Sequence, residues 1–398
     1  MSEWVLEVSD VRIVHDKDLN RLWILCREKR TSFDIHQLDM NNGSVIKSHT
    51  REINDPVTVP SFALYGRFLA IQDAPSGSLM FMDKISFQVH HTIPMQEEAD
   101  SFKIVSYETS HGQPFTISGQ LVPDIAVWED FGKVTFAWGS CWSVQVAHIE
   151  ESSLKAANVN LVVKSTHRHI LPCDHLLIED VVFFSLYDQK LIISISGEGC
   201  RTGYASPNTS RLYVVHVDTG ETLFKIQQPK SDDWANWFIT PPLVFKNVLY
   251  LATFDNENNM VEVGAVDLKN LEWKWKKPFA EFVVDDDYQV SGSFIVSTKT
   301  GNLLFNAFFC GSHLASIDAK TGTIEEIPTP YYFLPHSQFF YEGFFYGCKD
   351  DGGRMKLLKL ETPSVQGVKF SHYGVLDWNV GHLCKDFSQF TGKIDLDD

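Results

Sequence analysis

No two cysteines of this 398-residue chain are adjacent, and none are spaced as C-x-x-C. The seven (Cys26, Cys141, Cys173, Cys200, Cys310, Cys348 and Cys384) are scattered and odd in number, which suits reduced, buried thiols rather than a disulfide framework. Basic charge is also short: 34 Lys and Arg against 51 Asp and Glu leave a net charge of −17. That balance argues against a nucleic-acid partner, because phosphate binding needs a basic stripe. No window approaches the ~18–20 apolar residues of a membrane-spanning helix. The opening MSEWVLEVSD has neither the basic region nor the apolar core of a secretory signal. The expectation is a soluble cytoplasmic or nuclear protein without a membrane partner. Catalytic signatures are scarce too. There is no G-x-S-x-G elbow. GEGCRTG (197–203) has its third glycine one place late for a dinucleotide loop, and a strand rather than a helix is expected after it. DNENN (255–259) reads as a hairpin turn, because Met260 stands where a calcium loop requires Gly and Val266 where it requires the bidentate acid. The sequon NTS (208–210) carries no meaning without a secretory route.

What the chain has is aromatic and β-branched residues in short runs. Phe, Tyr and Trp make up 13%, and Phe alone contributes 29 residues. Residues 241–278, PPLVFKNVLYLATFDNENNMVEVGAVDLKNLEWKWKKP, show the pattern most clearly. Apolar runs are separated by Lys-Asn, Asp/Asn and Asp-Leu-Lys-Asn clusters, which predicts antiparallel strands joined by hairpins. Equivalent hairpins recur at 11–26, 62–71, 125–138, 181–195, 243–254, 293–309 and 339–348. After each comes a third strand ending in an apolar residue and an acid: Leu38-Asp39, Met82-Asp83, Ile149-Glu150, Val217-Asp218, Val266-Asp267, Ile317-Asp318 and Leu360-Glu361. An acid there can accept backbone N–H groups of the following turn, and a glycine three or four residues on supplies positive φ.

Four-stranded units repeating at this spacing predict an all-β fold, a single β-propeller of seven four-stranded blades spanning 1–398. Six or eight blades are the alternatives, because 96–124 has room for extra strands. WVLEV (4–8) precedes the first unit and is expected to close the ring by pairing into the last blade, next to the 366–376 segment. Residues 96–124 and 196–210 read as insertions, 151–158 as a helical turn, and about 391–398 as an acidic tail.

GAVDLKNLEWKW (264–275) and ASIDAKTGTIEEI (315–327) resemble the A-x-D-x-x-T-G-x-x-x-W signature of PQQ-like propeller repeats, the quinoprotein-dehydrogenase-like superfamily. Asp267 and Trp275 fall at its Asp and Trp, and Asp318, Thr321 and Gly322 at its Asp-Thr-Gly. QLDMNNGSVIK (37–47) carries Lys47 at the Trp position, and HVDTGETLF (216–224) has its Asp displaced. The resemblance implies that the Trp packs between neighbouring blades and that this is a diverged branch. The quinone enzymes' adjacent cysteine pair is absent, so it implies the scaffold and no cofactor.

Two kinds of function fit. A non-catalytic intracellular scaffold needs only a rigid ring and a decorated face. In a propeller, the first-to-second and third-to-fourth turns lie on one face, and here they are short. The other face carries the long connections, rich in acids and aromatics: Asp232, Asp233, Trp234, Trp237 and Phe238; Asp285, Asp286, Asp287 and Tyr288; Tyr331, Tyr332 and Phe333; and Asp350 and Asp351. Such a mixture suits a protein partner with a basic segment. The alternative is a hydrolase or lactonase with a metal at the ring axis. HRHILPCDH supplies the only local metal candidates, His167, His169, Cys173 and His175, with the first two on one face of a strand, in a spacing that matches no standard site.

Overall fold

The computed structural model describes residues 11–16, 18–29, 32–40, 44–52, 62–73, 77–95, 105–108, 114–117, 125–139, 143–156, 160–170, 180–197, 211–227, 237–238, 242–255, 260–281, 291–296, 301–308, 312–327, 338–341, 344–350 and 355–361. Two compact units divide the chain, one of Met1–Val59, Glu262–Ala265 and Trp273–Asp398, the other of Pro60–Val261 and Val266–Glu272.

The first meander is β1 (Val11–Asp16), β2 (Arg21–Lys29), β3 (Ser32–Asp39) and β4 (Val45–Glu52), antiparallel in that order. The second is β5 (Phe62–Tyr65), β6 (Phe68–Gln72), β7 (Leu79–Asp83) and β8 (Val89–Ile93). The stretch expected to hide strands holds a two-stranded sheet, β9 (Val105–Glu108) with β10 (Pro114–Ile117). The third meander is β11 (Ala126–Asp130), β12 (Lys133–Gly139), β13 (Ser143–Glu150) and β14 (Val163–Ile170), with the helix α1 (Glu151–Lys155) between its last two strands. The fourth is β15 (Asp180–Tyr187), β16 (Lys190–Gly197), β17 (Arg211–His216) and β18 (Thr222–Gln227).

The fifth sheet has its first strand in two pieces. Both β19 (Trp237–Phe238) and β20 (Leu243–Phe245) pair with β21 (Val248–Asp255), followed by β22 (Met260–Asp267) and β23 (Glu272–Glu281). The sixth is β24 (Ser291–Val296), β25 (Leu303–Phe308), β26 (Ser312–Ile317) and β27 (Ile324–Glu326). The seventh has three described strands, β28 (Gln338–Tyr341), β29 (Phe344–Asp350) and β30 (Met355–Glu361). The expected closing strand at 4–8, its neighbour at 366–376 and the acidic tail lie outside the described residues.

Burial rises and falls across a meander in a way that explains the sequence pattern. All five residues of β7 (LMFMD) are buried, as are the first seven of both β3 and β13. Covered on both faces, β7 reads as a continuous apolar run, whereas β3 and β13 alternate apolar residues with polar ones that are buried as well, among them Asp34, His36, Gln37, Gln145 and His148. Fourth strands are the exposed ones: β4 is VIKSHTRE and β8 is VHHTI. The cores lie between successive sheets. Phe81 of the second meander meets Phe136 of the third edge-on at 5.2 Å, within a cluster that includes Leu79, Trp138 and Ile149. Val144 and Val146 of the third pack with Leu186, Leu191 and Tyr213 of the fourth. Ile192 and Val214 of the fourth pack with Leu249 and Leu251 of the fifth.

First strands also adjoin: β11 lies beside β15 and β15 beside β20 in one unit, and β24 beside β28 and β28 beside β1 in the other. Up-and-down meanders stacked face to face, with first strands adjoining, are propeller blades. The chain is an all-β propeller in architecture.

Candidate functional site

The site grows out of the turn that follows each third strand. Asp83 Oδ1 accepts the backbone N–H groups of Ile85 at 3.0 Å and Ser86 at 2.7 Å. Asp267 does the same for Lys269 and Asn270, at 2.8 and 3.2 Å, and Asp318 for Lys320 and Thr321, at 2.9 and 2.8 Å. The backbone closes over the cap: the N–H of Gly322 donates to Asp318 O, and that of Asp318 to Thr323 O, both at 2.9 Å. The expected acid cap is therefore present in these three turns. After Glu150 it is replaced by α1.

In the fourth meander the cap is not Asp218, and the sequence pairing Val217-Asp218 is corrected. The same closure runs from Gly220 N–H to His216 O and from His216 N–H to Glu221 O. Counting back from the positive-φ glycine puts His216 at the cap position, where its Nδ1 lies 3.3 and 3.4 Å from the N–H groups of Asp218 and Thr219. Asp218, two residues further on, leaves its own turn and turns to the third meander.

There it meets two histidines. His148, on the buried strand β13, is 3% exposed, and its Nε2 lies 2.6 Å from Asp218 Oδ1. Its Nδ1 is 2.8 Å from Thr135 Oγ1 on β12, the residue directly across the ladder. The threonine hydroxyl donating to Nδ1 and Nε2–H donating to the carboxylate define one neutral tautomer. His167 on β14 brings its Nε2 to 3.8 Å from the same Oδ1, with its ring edge-on to His148 at 5.7 Å. Burial holds His148 below the ordinary imidazole value, against the pull of the Asp218 hydrogen bond. Burial alone would raise Asp218, but the His148 hydrogen bond and charge, with Lys133 and His167, bring it below the usual carboxylate value. Beside the cluster, Trp128, Lys133, Thr135, Tyr187 and Val217 line a small cleft between the two sheets.

His169 has a separate task. Its Nε2 is 2.7 Å from Val217 O, and its ring lies over Gly220, where an added Cβ would come within 2.7 Å of Nδ1. Trp275 treats the sixth meander's turn in the same way. Its indole N–H donates to Ala319 O at 3.4 Å and its ring covers Gly322. Val217 and Ala319 each follow the cap by one residue, and Gly220 and Gly322 by four. His169 thus stands in for the docking tryptophan, and Trp275 docks on the following blade as its family resemblance implies.

The four-residue metal expectation is therefore revised. His167 and His169 share a strand face, but His169 is spent on Val217, and His167 instead joins His148 and Asp218. Cys173 and His175 lie outside the described residues. The sequence offered no signal for His148, a single histidine in a buried run, whereas Gly220 would have located His216. Among the partner-binding candidates, Trp237 and Phe238 form the strand β19 rather than a loop, and Asp350 ends β29 rather than starting a connection. Asp232, Asp233, Trp234, Asp285, Asp286, Asp287, Tyr288, Tyr331, Tyr332, Phe333 and Asp351 lie outside the described residues.

No family model matches the chain. No curated protein matches it either. Among solved structures, it is similar to a europium-containing methanol dehydrogenase, with 12% identity, coverage of 89% of this chain and 78% of that one, and a TM-score of 0.47. It is also similar to the Cps50 (Swd1) β-propeller domain of Myceliophteria thermophila, with 10% identity, coverage of 89% and 98%, and a TM-score of 0.47. A putative 6-phosphogluconolactonase from Bacteroides fragilis gives 10% identity, coverage of 79% and 82%, and a TM-score of 0.45. The propeller architecture rests on the meanders and their packing, not on these distant likenesses.

Proposed function

We propose that this chain is a non-catalytic interaction scaffold, a subunit that docks a partner protein on the face bearing its long connections. The observation that carries the reading is how the short-turn ends are used. They are consumed in holding the framework together. Acid caps close the turns at Asp83, Asp267 and Asp318. Trp275 and His169 lock onto the next turn. The C-terminal end of α1 joins blades two and three, with Arg67 N–H donating to Leu154 O at 3.2 Å. A rigid frame at that end leaves the opposite connections to vary, and those carry Asp232, Asp233, Asp285, Asp286, Asp287 and Asp351 with their neighbouring aromatics. Acids of this density, in a chain of net charge −17, steer a basic segment toward the aromatic anchors.

The framework end supplies the control. Phe131 at the β11–β12 turn is fully solvated, and Ile85 in the turn after β7 is 75% exposed. Affinity purification from the native source, with co-purifying proteins identified and their recovery followed against salt, tests the reading. Asp285, Asp286 and Asp287 changed together to Lys should abolish recovery of a basic partner, and Phe131→Ser should leave it intact. Loss with Phe131→Ser alone would move the docking surface to the short-turn end. Salt-independent recovery that ignores the triple change would sink the basic-segment reading.

A further inference from the structure

We propose that His148, His167 and Asp218 form a binding site for one zinc-class divalent transition metal, bridging the third and fourth blades. Two imidazoles and a carboxylate are the donor types zinc takes when three protein ligands leave a fourth position for water. Each offers one ligand atom, and the three atoms all lie within 4.8 Å of one another. Tetrahedral zinc, with bonds of 2.0–2.2 Å, separates its donors by about 3.3 Å. The pair at 2.6 Å must open slightly and the pair at 3.8 Å must close slightly, each by less than about 1 Å.

Three further features favour a ligand over a simple His–Asp hydrogen bond. Thr135 Oγ1 lies against Nδ1 of His148, so Nε2 is the nitrogen presented to the cluster. When a metal takes Nε2, the ring proton moves to Nδ1 and the rotatable threonine hydroxyl turns to accept it, as outer partners of metal-bound imidazoles do. Asp218 is available because His216 has taken over the turn cap, the task that Asp83, Asp267 and Asp318 perform in their own turns. His167 and Asp218 have side chains 34% and 38% exposed, so ion and water can enter from that side, while His148 closes the other. Among the described residues, no cysteine joins the cluster. The site needs neither the scaffold reading nor its failure: it acts as a clasp between two sheets whichever partner is docked.

The full chain, stripped with chelator and titrated with zinc sulfate alone, tests the site by calorimetry and by thermal melting. One equivalent should bind and raise the melting temperature. His167→Ala removes a ligand at a half-exposed position and Asp218→Asn removes the charge. Both should fold as the wild type does by circular dichroism, and each should weaken this binding at least about tenfold. His90→Asn removes an exposed imidazole on β8, outside the cluster, and should leave zinc affinity unchanged. Three results would each overturn the proposal: no zinc binding by wild type, wild-type affinity in both His167→Ala and Asp218→Asn, or loss confined to His90→Asn. Should either ligand variant misfold, the amide substitution His167→Gln, read by the same titration, takes its place.

Discussion

Glycines in the left-handed region do two things in this chain, and two of them separate the effects. Gly322 has φ +71°, and a Cβ there would come within 2.7 Å of the Trp275 ring. Gly301 has φ +74°, and nothing lies within 4 Å of the position. Alanine at 301 suffers only the backbone penalty, about 1 kcal/mol. Alanine at 322 adds displacement of the docked indole, for a total of about 2–4 kcal/mol. Urea unfolding should therefore rank Gly322→Ala well below Gly301→Ala, and equal losses would show that Trp275 is not held by that turn. The acid caps give a prediction in pH. Burial alone would raise Asp83, but the Ser86 N–H, the Arg67 guanidinium, the Ser86 hydroxyl and the Ile85 N–H bring it below the usual value. The Thr321 N–H leads the same effect at Asp318. Depressed carboxylates release protons more readily in the folded state. Their contribution is complete above about pH 4, and is lost as pH falls through the folded values. Stability should drop below pH 4, with a shallower slope in Asp83→Asn, itself less stable at pH 7 by about 2 kcal/mol.

At the scale of elements, what could be read beforehand was whatever repeats. Second strands such as β6 and β12, and the third strand β7, are covered on both faces, so their apolar runs stood out, and the short polar turns marked the hairpins. Three things escaped for specific reasons. Pro242, which has no N–H to give to a ladder, stands just before β20, whose pairing with β21 is separate from that of β19, and Trp237 and Phe238 looked like loop. The insertion of α1 puts Glu150 and His169 nineteen apart, where Asp267 and Trp275 are eight apart, so the histidine's docking role had no visible spacing. The cluster of His148, His167 and Asp218 joins residues 70 apart, and only the stacking of two sheets brings them together. The helix itself was legible as a turn, but not its use. Leu154 is fully buried among Phe136, Ile149 and Leu161, while its carbonyl receives Arg67 from the neighbouring blade. Leu154→Ala should cost about 2–5 kcal/mol by chemical denaturation, although the residue sits in a five-residue element. A loss below about 0.5 kcal/mol would mean that α1 is an ornament and not a tie between blades.

For the whole molecule the question is closure. A stack of blades leaves two outer sheet faces bare unless the last meets the first, and in one unit β28 does lie beside β1. The seventh sheet has three described strands, and β30 has no strand partner on its outer side among the described residues. A fourth strand from the N-terminal run WVLEV (4–8) would complete the sheet and join the two ends of the chain in one blade. On that account, removing residues 1–9 forfeits several buried apolar side chains at about 1.5–3 kcal/mol each, a sum comparable to the stability of a whole domain. The chain starting at Asp10 should then melt far below the full chain or fail to fold, and Trp4→Ala with Leu6→Ala should show a smaller loss of the same kind. The full chain should unfold in one transition, with limited proteolysis cutting within 96–124 or 196–210 and leaving the rest associated. A truncation starting at Asp10 that is as stable as the full chain would place the closure elsewhere. Two separate transitions, or two halves that fold independently, would mean that the blades do not form a single ring.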